Sequence, residues 1–99
     1  MTARRKLLTI VCESDLEKKL GDEVMAFGAH GYTVTEARGR GAGGERDAAW
    51  SPSGNIRMEV ICEAAVAENI AAHLHKTYFE HYALVLYMSD VDVLRGEKF

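Results

Sequence analysis

The chain has 99 residues, of which 47% are hydrophobic and 27% charged, with a formal net charge of -3. That length fits one domain with a modest core, and the apolar content excludes a disordered chain. The negative balance excludes a general affinity for nucleic acid, so any anion site must be local.

Residues 1–6 are basic. The apolar run at 7–12 is too short for a signal peptide or a membrane span, and a cytoplasmic protein is expected. Residues 6–12 form a β-rich run, apolar on both faces, as in a central strand. Ser14 with Glu17 three residues on reads as a capping box that opens a helix. Leu16, Leu20, Val24 and Phe27 make its apolar stripe. Glu17, Lys18, Lys19, Asp22 and Glu23 cover the other face. Gly28 and Gly31 stop it. A second strand is expected from Tyr32 to about Arg38, where Tyr32, Val34 and Glu36 alternate with Thr33, Thr35 and Ala37.

That strand runs into a glycine-rich loop. Bare backbone N–H groups with Arg38 and Arg40 suit an anion such as phosphate or carboxylate. The bland alternative is a solvated loop with ordinary surface arginines. Residues 39–55 show no periodicity and hold Trp50 and Pro52, as a functional or disordered loop would. Ile56, Met58, Val60 and Cys62 give a third strand one apolar face. Val66, Ile70, Leu74 and Tyr78 mark a second helix without a clear N-cap. Residues 83–88 form a fourth strand. Residues 90–99 read as a polar tail in which Val91, Val93 and Leu94 pair briefly or dock.

The order is βαββαβ. Right-handed crossovers then give an α+β, ferredoxin-like fold: a four-stranded antiparallel sheet with two helices on one face. One domain, residues 1–99, is expected. The other sheet face stays open, which favours an oligomer.

The fold hosts many functions, so the site must decide. The third strand lacks the stacking aromatics of an RNA-recognition motif. His73 and His75, two apart on a helix, point about 200° from each other and do not chelate one ion; solvated histidines and no metal are expected. Cys12 and Cys62 have no metal-like spacing and read as buried reduced thiols on opposite edges of the sheet. Neither has a neighbouring His, and no Gly-x-Ser-x-Gly, His-Glu-x-x-His or P-loop lysine motif occurs, so no catalytic residue is assigned.

The run Gly31-Tyr32-Thr33-Val34-Thr35-Glu36-Ala37-Arg38-Gly39-Arg40-Gly41, a long loop, then Ile56-Arg57-Met58-Glu59-Val60-Ile61 resembles the PII signal-transduction family. Gly28-Ala29-His30-Gly31-Tyr32-Thr33-Val34, the aromatic segment at 78–83 and Val93-Leu94-Arg95-Gly96 are similar to the SbtB-type, carboxysome-associated PII-like proteins. The resemblance implies a homotrimer with a mobile T-loop at 39–55 and an adenine nucleotide of the AMP/ADP class in each inter-subunit cleft. It implies that Thr33 and Val34 line the adenine pocket. Gly39, Arg40, Gly41 and Arg46 would hold phosphate, with Arg57, Glu59, Tyr87, Met88 and Ser89 contributing from the strands. It further implies bicarbonate as a second ligand, no cofactor, and a membrane transporter or carboxysome-related protein as partner of the loop.

The chain departs from nitrogen-sensing relatives. Residues 79–83 leave no room for their lysine-bearing B-loop, residues 39–55 contain no tyrosine, and Ala42 and Gly43 replace their arginine and glutamine. It departs from the SbtB type in lacking a cysteine pair beyond Cys62, which argues against a disulfide switch at the tail. A nitrogen-type regulator of ammonium transport and a metal-tolerance trimer of similar fold are the alternatives.

Overall fold

The computed structural model describes residues 2–41, 44–46 and 54–99, with the backbone alone at 41 and 44–46. Among these, six strands and two helices follow in the order β1 (Ala3–Glu13), α1 (Glu17–Ala26), β2 (Thr33–Ala37), β3 (Gly39–Gly41), β4 (Gly44–Arg46), β5 (Asn55–Cys62), α2 (Ala64–Tyr78) and β6 (Val85–Val93). Four strands make one sheet in the order β2-β5-β1-β6, antiparallel throughout. With its two helices this is the ferredoxin-like α+β fold.

The side-chain period of two sorts each strand. Leu8, Ile10 and Cys12 of β1 and Ile56, Met58, Val60 and Cys62 of β5 are buried. They pack with Leu20 and Val24 of α1 and Ala67, Ile70, Leu74 and Tyr78 of α2 in one core. Val66, expected in the stripe of α2, is only half-buried against this core, and Ala67 takes the inner place.

The start of α1 differs from the capping box. Ser14 opens a 3-10 turn, Ser14–Leu16, without a side-chain cap. Its backbone N–H instead donates to the Gly54 carbonyl at 3.0 Å, which ties this turn to the entry of β5. The end of α1 matches a Schellman motif. Gly28 N–H donates to Met25 O and Ala29 N–H to Val24 O, each at 3.1 Å, and Gly28 takes the φ of 111° that this motif requires. Gly21 lies under the ring of Tyr32, which a Cβ there would overlap, so α1 touches the chain entering β2.

Glu23 and His73 are not solvated surface groups. The Tyr78 hydroxyl donates to the Glu23 carboxylate, and His73 Nε2 lies 3.1 Å from Glu23 Oε2. His73 stacks at 4.9 Å on Phe27, which is itself 38% exposed rather than part of the buried stripe. This carboxylate joins α1 to α2. Burial first, then the Glu23 carboxylate, pushes the Tyr78 phenol well above its ordinary range.

The first and last strands of the chain are longer than their apolar runs. β6 continues through the expected polar tail to Val93, and β1 begins at Ala3. The antiparallel ladder continues through the extension, and two exposed ion pairs lie across it: Lys6 Nζ reaches Asp90 at 2.6 Å and Arg4 Nε reaches Asp92 at 2.8 Å, each pair directly opposite in register. The Lys6 ammonium lowers the Asp90 carboxyl below its usual value. Arg5 Nη2 donates to the Gly96 carbonyl at 3.0 Å and docks the C-terminal turn.

Cys12 pairs with Ile56 and Cys62 with Lys6, so the two lie six positions apart along the β1–β5 seam. That is about 20 Å of strand, beyond disulfide reach. Both are buried thiols. Burial raises the Cys62 thiol, which disfavours its reactive thiolate. A thiol-specific reagent should label neither cysteine in the native protein and both after denaturation; labelling of native Cys62 would contradict its burial.

Tyr78→Phe keeps the buried ring and removes the donor to Glu23. It should lower stability by about 1.5–3 kcal/mol, the usual worth of a hydrogen bond to a charged group. Because the folded phenol titrates higher than the unfolded one, its contribution is complete below the unfolded value of about 10 and is lost as pH rises above it. Denaturant titrations from pH 7 to 11 should therefore show the two proteins converging at the alkaline end. A constant difference would contradict the linkage.

Candidate functional site

The open face of the sheet carries two adjacent rows of residues set by register. Thr35, Arg57, Val11 and Val85 lie side by side across β2, β5, β1 and β6. Thr33, Glu59, Thr9 and Tyr87 form the next row. Beyond Ala37 the chain turns into a small two-stranded hairpin, in which Gly39 pairs with Arg46, Arg40 with Glu45 and Gly41 with Gly44. The start of the stretch expected to lack regular structure is thus a β-hairpin. Glycine at both partner positions 41 and 44 brings the two backbones together without side chains.

Where the hairpin root meets the open face there is a pocket of about 330 Å3, lined by Val11, Ala37, Arg38, Gly39, Arg40, Arg57, Val85 and Tyr87. Its floor is apolar and aromatic, with Val85 49% and Tyr87 53% exposed. Its charged wall is three arginines beside the bare backbone of Gly39. Such a surface can stack a flat ring on Tyr87 and hold an oxyanion with forked donors. The Glu59 carboxylate tempers the charge of Arg57: its Oε2 lies 3.7 Å from Arg57 Nε.

Of the residues singled out in the sequence, Arg38, Gly39, Arg40, Arg57 and Tyr87 meet in this pocket. Thr33 and Glu59 share its face one row away, and Ser89 sits a row further, opposite Leu7. Val34 and Met88 occupy the helix side, in register with Met58 and Leu8. Val34 packs on the core there, and Met88 is 38% exposed on the edge strand. Gly41 lies in β3, past the pocket. The backbone of Arg46 pairs with Gly39, whereas its side chain lies outside the described residues. The expected mobility of the loop falls mainly on residues 47–53, which also lie outside them, as do Trp50 and Pro52.

Val11, Ala37 and Val85 were not singled out. Val11 and Val85 lie in the apolar runs of β1 and β6, but only register aligns them with Arg57, and Ala37 ends β2 opposite Asn55. Among the described residues, no group of three His, Cys, Asp or Glu side chains could hold a metal ion. Among them, too, no helix is long and apolar enough to cross a membrane.

A family model for the nitrogen regulatory protein P-II matches residues 5–98. A protein of Thermus thermophilus described as PII-like signalling is 46% identical, with 99% of this chain and 97% of that one covered and a TM-score of 0.84. CPII of Thiomonas intermedia, a nitrogen regulatory PII-like protein bound to ADP, AMP and bicarbonate, is 20% identical over 100% of this chain and 96% of that one, with a TM-score of 0.89. The same protein bound to ADP and bicarbonate is 21% identical, with 100% and 97% covered and a TM-score of 0.88. At those lower identities the likeness is one of fold.

Proposed function

This chain belongs to the nitrogen regulatory protein P-II family, and from that premise we propose that it is a non-enzymatic regulator that binds an adenine nucleotide, with bicarbonate as a second ligand. The observation that carries this reading is the pocket in which an aromatic floor meets Arg38, Arg40, Arg57 and the Gly39 backbone. A purine needs the first and a phosphate the second. The ligands of CPII, a protein of the same fold, support the choice of ADP, AMP and bicarbonate.

In this reading the base lies over Tyr87, Val11 and Val85, and Thr33, on the opposite edge strand, would contribute to the adenine pocket from a neighbouring subunit. The phosphates lie at Gly39 and Arg40, with Gly41 and Arg46 further along the hairpin. Val34, Met88 and Ser89 belong to the two edge strands, β2 and β6, and would contribute where a second subunit closes the cleft of a homotrimer. Ligand binding at the hairpin root orders the loop that the hairpin opens, by differential affinity for two loop states. The ordered loop is then displayed to a membrane transporter or carboxysome-related protein in the cytoplasm, and so regulates inorganic-carbon uptake or carboxysome function.

Calorimetric titration with AMP, ADP, ATP and cyclic AMP, each with and without bicarbonate, tests the ligand. Arg40→Ala should weaken ADP by about 10- to 150-fold, the equivalent of about 1.5–3 kcal/mol for a charge-assisted contact. Adenosine, which has no phosphate, should bind the variant as it binds the wild type. An ADP dissociation constant within about twofold of wild type would remove Arg40 from the phosphate site. The assembly has its own check. Light scattering at micromolar concentration should give three times the 10.9 kDa chain mass, and a monomer mass would contradict the shared cleft.

A further inference from the structure

Resting on the reading of the pocket as a nucleotide phosphate site, we propose that Glu59 is a charge discriminator that holds down the affinity of the site for more highly charged ligands. Among the described residues, the pocket is lined by three arginines and no carboxylate. Glu59 stands just outside the lining, on the same face of β5 as Arg57 and two residues further on, which is about 7 Å along a strand. Its carboxylate lies 3.7 Å from Arg57 Nε. An anion that enters the pocket therefore meets an arginine already partly neutralised.

Two effects follow from that placement. Arg57 is held by an ion pair that an incoming phosphate must share or break. The Glu59 charge also repels every further negative charge brought into the pocket. At about 8 Å, with an effective dielectric constant between about 40 and 80, one such repulsion is worth about two- to sixfold in affinity for each ligand charge. Each added phosphate brings about one more charge or slightly more. The penalty thus grows from AMP to ADP to ATP, and the carboxylate tilts a cationic pocket toward the less phosphorylated ligands. The register partners of Glu59 across the sheet, Thr33 and Thr9, carry no charge, so Arg57 is its charged neighbour on this face.

Glu59→Gln tests the proposal, because it keeps the shape and removes the charge at a half-exposed position. Titrations are run at low ionic strength without magnesium, with AMP, ADP, ATP and adenosine. The variant should bind ADP about threefold tighter or more. The gain should rise from AMP to ATP, vanish for adenosine and shrink as salt is added. Weaker ADP binding by the variant would overturn the proposal, since it would make Glu59 a direct acceptor for the ligand. Equal gains for all four ligands would overturn it as well, because a packing change does not scale with charge.

Inorganic phosphate, pyrophosphate and tripolyphosphate extend the series without a base. If adenine nucleotides bind neither protein while the variant still gains affinity with polyphosphate length, the nucleotide reading fails and the discriminator stands. A response to polyphosphate length that is the same in both proteins overturns the discriminator.

Discussion

The antiparallel seam between β5 and its two neighbours is the constraint on which the site depends. β5 pairs with β1 on one side and with β2 on the other. Its buried residues, Ile56, Met58, Val60 and Cys62, fill the core. A shift of one residue would turn all four to solvent and bring Arg57 and Glu59 into apolar packing, at prohibitive cost. Burial on the helix side therefore dictates what the open side presents. Arg57 falls beside Val11 and Val85, and Glu59 falls in the row that ends at Tyr87. The pocket is the other face of the core pattern.

The helix layer holds the ends of the strands that reach the pocket. α1 leads into β2 through the Schellman turn at Gly28 and the contact of Tyr32 with Gly21. α2 leads into β6, where Tyr78 packs edge-on against Tyr82 at 5.6 Å. Glu23 joins the two helices by accepting from Tyr78 and meeting His73. A half-buried carboxylate with two partners is a costly thing to break, because either loss leaves it less satisfied. It ties together the two helices that cover the core face of the sheet.

Element order, the ferredoxin-like topology and the inner face of β5 were legible because they rest on periodicity. The separation of Cys12 and Cys62 along the strands was legible for the same reason, although they lie at opposite ends of the central β1–β5 seam rather than at sheet edges. What escaped were features set by partners distant in sequence. β6 looked as if it should end near Met88, since Asp90 and Asp92 read as tail; the β1 backbone continues to pair with them, with Lys6 and Arg4 opposite as counter-charges. Glu23 looked like one more charge on a polar helix face until Tyr78 arrived from 55 residues away. Ser14 had the sequence of a cap, but the Gly54 carbonyl took its N–H. The arginine and glycine content of the site was visible, whereas Val11 and Val85 needed the register. The strand pairing in the stretch after Ala37 was hidden because glycine carries no side-chain pattern.

A crystal structure of the protein with ADP would test the central claim most directly. The expected result is the base against Tyr87, Val11 and Val85, and the phosphates against Gly39 and Arg40 at the hairpin root. ADP bound elsewhere, with this pocket filled by solvent, would contradict it.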